Sequence, residues 1–126
     1  MDDTATEEFE NALKQAGLES AGDSLFPLHK KEGSFVVGML SGPRPIQFTA
    51  RGQKVNKDGY DMVIHMTNVE GYVQGDKVVI SPAGLLNKQL TKDKPAHVTL
   101  PAVVGITYTG KDDKGFQKTK VGWPKA

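Results

Sequence analysis

Lysines and aromatic residues occur together in the segment Val103–Val121, near the end of the chain. Two runs of alternating residues flank Gly-Lys-Asp-Asp-Lys-Gly at positions 110–115, a pattern that predicts a β-hairpin. The hairpin carries four lysines and two rings: Lys111, Lys114, Lys118, Lys120, Tyr108 and Phe116. Lysines that bind phosphates and rings that stack on bases are the combination that binds single-stranded nucleic acid. The segment therefore predicts binding rather than catalysis.

The candidate nucleic-acid-binding side chains are cations near predicted strands and rings suited to stacking on bases. They are Arg44, Arg51, Lys54, Lys57, Tyr60, Tyr72, Tyr108, Lys111, Lys114, Phe116, Lys118 and Lys120. Taken singly, each cation is more often an ordinary surface residue, and several of the rings must belong to the core. Alternation places Phe116 on the face of Lys118 and Lys120, which makes it the predicted stacking platform. Trp123 shares a face with Val121 and is the predicted core residue.

The sequence assembles no catalytic or metal-binding group. The paired carboxylates at 58 and 61, and at 112 and 113, fall in or beside predicted hairpin turns, which favour aspartate because it bonds to the local backbone. The chain has no cysteine, and its three histidines are scattered singly. The Gly-Lys pair at 110–111 lacks the spacing of a phosphate-binding loop. We therefore expect no enzyme activity, no cofactor and no metal.

Length and composition predict one globular domain with an uneven distribution of charge. The chain has 126 residues, 37% hydrophobic and 25% charged, and lacks a run of about 18 apolar residues. Its acidic, polar start is unlike a secretory signal, so a cytosolic protein is expected. Residues 1–33 carry a net charge of −5, whereas residues 34–126 carry +6. This asymmetry predicts a basic binding domain over 34–126, although two solvated faces would give the same charges.

Residues 1–33 are predicted to form an acidic helix and a linker. Thr4 and Glu7 match a capping box. An apolar stripe at helical spacing follows, made of Phe9, Ala12, Leu13 and Ala16. Gly17 favours an end to the helix, which then spans about 5–16. Residues 19–33 lack periodicity and are expected to link the helix to the domain, with Leu25, Phe26 and Leu28 as contacts.

From Ser34 onward, the alternation of apolar and polar residues predicts strands. The first, over 35–40, is broken by Ser-Gly-Pro-Arg-Pro and resumes at 46–50. A basic loop over 51–59 leads to a second strand, which places Tyr60, Met62, Ile64 and Met66 on one face. A third strand lies within 71–80, and the segment 82–92 predicts a helix with Leu85, Leu86 and Leu90 on its apolar face. The two strands of the hairpin follow.

Three strands, a helix and two strands is the order of the oligonucleotide/oligosaccharide-binding (OB) fold. We therefore predict a mainly β protein: a five-stranded OB-fold Greek-key barrel with a short helix between strands 3 and 4, and the N-terminal helix before it. Gly38 and Gly105 fit the bends of a small barrel. An SH3-like barrel or an open β-sandwich is the alternative, and neither accounts as well for the position of the helix.

Four segments carry a resemblance to a known family. They are Val-Gly-Met-Leu-Ser-Gly-Pro-Arg-Pro-Ile at 37–46, a strand ending at Ser81, a helix with Leu86 and Leu90, and Gly-Ile-Thr-Tyr-Thr-Gly-Lys at 105–111 with Lys114-Gly115 and Val121. Over roughly 34–123 the chain resembles the small OB-fold single-stranded-DNA-binding proteins of tailed phages and prophages. The resemblance implies sequence-tolerant binding of displaced strands in replication or recombination. Cellular bacterial single-strand binders end in an acidic tail, whereas this chain ends in Gly-Trp-Pro-Lys-Ala.

We therefore expect a protein that binds single-stranded DNA by charge and base stacking. The expected partners are single-stranded DNA and replication or recombination proteins, without a membrane. The expected location is the cytoplasm, that of the host if the protein is viral, and homo-oligomerisation is left open. The alternative is a structural or protein-interaction β-barrel module, such as a virion or assembly component. DNA binding predicts that basic and aromatic side chains converge on one concave face, whereas the interaction module allows them to spread round the barrel.

Overall fold

The computed structural model describes residues 25–126, and their fold is mainly β. The elements in chain order are a 3-10 turn (Leu28–Lys30), β1 (Phe35–Ala50), β2 (Gln53–Thr67), β3 (Lys77–Ile80), α1 (Gly84–Leu90), β4 (Ala102–Lys111) and β5 (Gln117–Gly122). The strands form one antiparallel sheet in the order β3-β2-β1-β4-β5. This confirms five strands and a helix between the third and fourth. The helix predicted over 5–16 lies outside the described residues.

The core lies between one face of the sheet and α1. Its buried side chains are Phe26, Leu28, Val36, Leu40, Tyr60, Met62, Ile64, Val78, Ile80, Leu86, Leu90, Val104, Ile106 and Tyr108. We call this side of the sheet the inner face, and the opposite side the outer face. The predicted contacts of Phe26 and Leu28 with the domain are confirmed, so residues just before β1 belong to its core. No helix within residues 25–126 is long and apolar enough to cross a membrane.

The sheet is open, because the described residues show no pairing between β3 and β5 that would close a barrel. Beside β3, the Phe26 N–H donates to the Val79 carbonyl at 2.8 Å. Beside β5, Gln89 of α1 donates from Nε2 to the Thr119 carbonyl at 2.9 Å, and the Thr119 hydroxyl donates to Gln89 Oε1 at 2.6 Å. Phe26 and α1 thus bond to the outer edges of β3 and β5, which leaves fewer of their backbone groups open to pairing with another chain.

β1 continues through the proline-containing sequence that predicted a break. The register against β2 shifts between Ser41 and Arg44, so Gly42 and Pro43 bulge out of the ladder. A bulge accommodates proline because its missing N–H is not needed there. The loop predicted over 51–59 is likewise mostly strand. Only Arg51 and Gly52 form the turn, both with positive φ, as a two-residue hairpin requires.

A second bulge changes the face on which Met66 lies. Val37 pairs with Met66 and Gly38 pairs with Ile64, which leaves His65 as an extra residue on β2. One extra residue reverses the alternation that follows it. Met66 is therefore 62% exposed on the outer face, and its predicted place beside Ile64 is wrong.

Candidate nucleic-acid interface

The turn between β4 and β5 orders the backbone that carries Phe116. Asp112 Oδ1 accepts hydrogen bonds from the backbone N–H groups of Lys114 and Phe116, both at 2.9 Å. The Asp112 N–H in turn donates to the Phe116 carbonyl at 2.9 Å. Such local bonds are the reason that aspartate is favoured in turns. The side chain of Phe116 is 68% exposed, so an ordered turn presents an aromatic ring to solvent.

A groove runs from this turn, past the start of α1, to the β1–β2 hairpin. Its first part has a volume of about 600 Å³ and lies between Leu85 of α1 and the β4–β5 residues Lys111, Phe116 and Lys118. Ala83 and Gly84 connect it to a second depression, and Lys57 and Asp58 connect the second to a third. We call these three adjoining depressions together the groove; its remaining principal lining residues are Pro45, Ile46, Pro82 and Asn87.

Lys57 fixes the middle of the groove. Its Nζ donates to the Pro82 carbonyl at 2.6 Å, which joins β2 to the loop that leads into α1. An ammonium group has three donors, so two remain for other acceptors. Lys57 thus contributes both a structural bond and a positive charge to the groove.

The chemistry of the groove suits an anionic ligand with a planar, apolar part. Lys57, Lys111 and Lys118 line it, against the carboxylates of Asp58 and Asp112. The Asp112 carboxylate is already bonded to two turn amides. Residues 25–126 as a whole, the groove included, hold fifteen basic and eight acidic side chains, a net charge of +7. A domain of this charge attracts polyanions over a range set by the ionic strength.

The predicted residues divide between the groove and other surfaces. Four of them line the groove: Lys57, Lys111, Phe116 and Lys118. Lys114 is exposed in the β4–β5 turn, and Arg51 and Lys54 lie at the far end of the β1–β2 hairpin. Lys120 is exposed beside Thr107 on the outer face. The structure therefore brings together one ring and three lysines of the predicted set.

Two of the predicted stacking rings belong to the core. Tyr60 is 2% exposed and Tyr108 is 5% exposed, so neither ring is accessible to a base. Burial, together with the Asp58 carboxylate, raises the pKa of the Tyr60 hydroxyl. Their alternation with the core residues Met62 and Ile106 is the reason for their placement. Stacking by Tyr60 and Tyr108 does not fit this burial.

Tyr72 and Arg44 also have structural partners. The Tyr72 ring packs edge-on against Phe26, with ring centroids 4.9 Å apart. Arg44 donates from Nε to Asp61 Oδ2 at 2.6 Å and from its second terminal nitrogen to Asp61 Oδ1 at 2.9 Å. This paired geometry holds a half-buried carboxylate and occupies the side of the guanidinium group that a phosphate would use.

One member of each predicted aspartate pair has a structural role in the described part of the chain. Asp61 bonds to Arg44, and Asp112 caps the β4–β5 turn. The described residues contain no group of three or more histidine, aspartate or glutamate side chains arranged to hold a metal ion. His29 packs edge-on against the Tyr108 ring at 5.0 Å, and burial lowers its pKa.

Sequence reasoning missed the contribution of α1 to the groove. The sequence predicts Leu85 on the same apolar face as Leu86 and Leu90, yet Leu85 is 39% exposed while the other two are buried. Only residues three or four apart share a helix face, so Leu86 and Leu90 point into the core and Leu85 points away from them. The spacing of the three leucines therefore already indicated that Leu85 lies outside the core. Trp123 packs half-buried against the core, as its alternation with Val121 predicted.

The chemistry and geometry of the groove are the basis for assigning its function, because no family model, curated protein or solved structure matches this chain.

Proposed function

We propose that this protein binds single-stranded DNA in the groove, without base specificity, during replication or recombination. The observation that carries the proposal is the exposed ring of Phe116. The ordered β4–β5 turn carries it on the wall of a groove that also holds Leu85, Lys111 and Lys118. An exposed ring contributes binding energy when a base stacks on it, and neighbouring lysines neutralise the phosphates on either side of that base.

The preference for a single strand follows from the ring. In a duplex both faces of each base are already stacked on neighbours, so Phe116 gains little from it. A single strand offers free base faces, and every base has one, which makes this contact tolerant of sequence. The lysines alone would accept either form. The difference in affinity between the two forms therefore measures the contribution of stacking.

The arrangement of strands supports assignment to the OB fold, in an open form. The strand order and the place of α1 agree with that fold, although β3 and β5 do not pair. OB-fold proteins bind oligonucleotides on the face of strands 2 and 3 and with the loops that follow strands 1 and 4. The groove joins those same two hairpins, at Lys57 and at Phe116.

Fluorescence anisotropy with labelled oligonucleotides tests the proposal. We expect tighter binding of a single strand than of a duplex of the same length. Phe116→Ala should weaken single-strand binding by about 5- to 150-fold, the equivalent of one stacked base, and change duplex binding little. Val73→Ala is the matched control, since Val73 is 67% exposed and lies away from the groove. Equal affinity for both forms, or an unchanged affinity in Phe116→Ala, would contradict stacking.

A protein-binding module is the second candidate. The observation that favours it is the apolar character of the outer face, where Met39, Val63 and Val103 are exposed side by side on three strands. Absence of binding to any oligonucleotide at low salt would leave this candidate in place of the first.

A further inference from the structure

The outer face contains a shallow apolar depression, distinct from the groove. Its volume is about 360 Å³. Gly105 of β4 pairs with Gly122 of β5 on one side and with Val37 of β1 on the other, so bare backbone forms the floor. Phe35 and Lys120 stand at its sides.

The fold does not require these two glycines. A Cβ on Gly105 would meet only Val37 Cγ2, at 3.4 Å, and a Cβ on Gly122 would come no closer than 3.9 Å to another atom. Neither glycine has a positive φ. Gly38 differs, because a Cβ there would lie 2.2 Å from the Val63 carbonyl oxygen. The glycines at 105 and 122 therefore shape the surface rather than the strands.

An apolar strip continues from the depression across the sheet. Val103, Met39 and Val63 are paired in one row on β4, β1 and β2, and they are 41%, 38% and 38% exposed. Met66 extends the strip beside Val37. A contiguous apolar patch of this kind on a sheet face is a typical docking surface.

We propose that residues 1–24 of the same chain dock on the outer face, with Phe9 in the glycine-floored depression. The apolar stripe of this segment supplies the matching surface: Phe9, Ala12, Leu13 and Ala16. This inference is independent of the function assigned to the groove.

The point at which residues 1–24 join the domain supports their docking on the outer face. Leu25 forms a bridge with Val79 of β3, an edge strand of the same sheet. At about 4.8 Å per strand, β1 lies about 14 Å from Leu25 and β4 about 19 Å. The eight residues 17–24 span up to about 26 Å when extended, which is enough to place residues 5–16 over the strip. A tether of this length also gives an effective concentration in the millimolar range, above that of a second copy.

The opposite charges of residues 1–24 and of the lysines on the outer face also support this docking. Residues 1–24 hold seven acidic side chains and one lysine, a net charge of −6. An exposed lysine lies at each end of this surface: Lys77 pairs with Val63 on β3 at the end of the strip, and Lys120 of β5 borders the depression. An acidic segment with an apolar stripe is complementary to an apolar surface that has a lysine at each end.

Disulfide trapping in the full chain tests the inference, because the natural sequence contains no cysteine. The test variant combines Leu13→Cys with Met39→Cys, which lies next to the depression at the distance from Phe9 that one helical turn spans, and the control variant combines Leu13→Cys with Leu85→Cys on the groove. Mild oxidation followed by non-reducing electrophoresis measures the rate of cross-linking. We expect the outer-face pair to form an intramolecular disulfide at least tenfold faster than the groove pair. In the test variant, Gly105→Val should fill the depression and slow that reaction, with the fold checked by circular dichroism.

Three results would overturn the inference. Equal rates for the two pairs would show that the segment has no preferred surface. Faster cross-linking of the groove pair would place the segment where we assign the nucleic acid. A disulfide that joins two copies of the chain, rather than one chain to itself, would assign the outer face to a second copy.

Discussion

Lys118 and Lys120 lie two residues apart on β5, yet we expect only Lys118 to affect the salt dependence of DNA binding. Lys118 lines the groove, whereas Lys120 borders the depression on the outer face. Each phosphate contact adds about 0.7 to the slope of log K against log salt for single strands. The three groove lysines therefore predict a slope of about −2, and Lys118→Ala should reduce it to about −1.4. Lys120→Ala should leave the slope unchanged.

The measurement is an anisotropy titration of labelled oligo-dT at several salt concentrations. Between 50 and 200 mM salt, the wild-type affinity should fall by about 18-fold and that of Lys118→Ala by about 7-fold, from those slopes. Lys120→Ala is the matched control, since it removes the same charge from the same strand. Equal slopes for the two variants would refute the groove as the path of the strand, and would indicate attraction by net charge alone.

Three further predictions concern stability. Asp112→Ala should lower the free energy of unfolding by about 1–2 kcal/mol in urea, because two turn amides lose their acceptor, whereas Asp112→Asn should cost less because its side-chain oxygen can replace it. Burial lowers the pKa of His29, so the unfolded chain binds a proton at this residue more readily than the folded chain does. The free energy of unfolding should therefore fall as the pH drops below 6.5, the ordinary pKa of histidine. His29→Leu should flatten that pH dependence, which thermal melts at several pH values would measure. Gly38→Ala should lower the free energy of unfolding by several kcal/mol, since its Cβ would lie 2.2 Å from the Val63 carbonyl oxygen. Gly105→Ala should lower it by less than about 1 kcal/mol. Similar losses in the two variants would show that the bulge at Gly38 and His65 relaxes freely.

Alternation along β5 was sufficient to predict which side chains leave the core. Thr119 is buried, Trp123 is half-buried, and Lys118 and Lys120 are exposed, as the period of two requires. The same alternation, followed strictly, also assigns Tyr108 to the face of Val104 and Ile106. The stacking role predicted for Tyr108 follows from its residue type, whereas its burial agrees with the periodicity.

The elements that sequence reasoning placed wrongly depend on pairing between distant strands. The extra residue of this bulge, His65, has no glycine or proline beside it on β2, and Gly38 lies on the opposite strand, so the reversal of Met66 was not predictable from β2 alone. The groove likewise exists because the start of α1 approaches the β4–β5 turn, some thirty residues later in the chain. Local periodicity indicates which face a residue occupies, but it does not indicate which distant element lies opposite.

The most direct test of the groove is a titration of ¹⁵N-labelled protein with short oligo-dT, followed by amide chemical shifts. The amides of Lys57, Gly84 and Phe116 line successive parts of the groove and should shift together as the strand binds. Val63 and Gly105, on the outer face, should keep their positions. Shifts confined to the outer face, or no shifts at saturating oligonucleotide and low salt, would contradict the assignment of the groove as a binding site for single-stranded DNA.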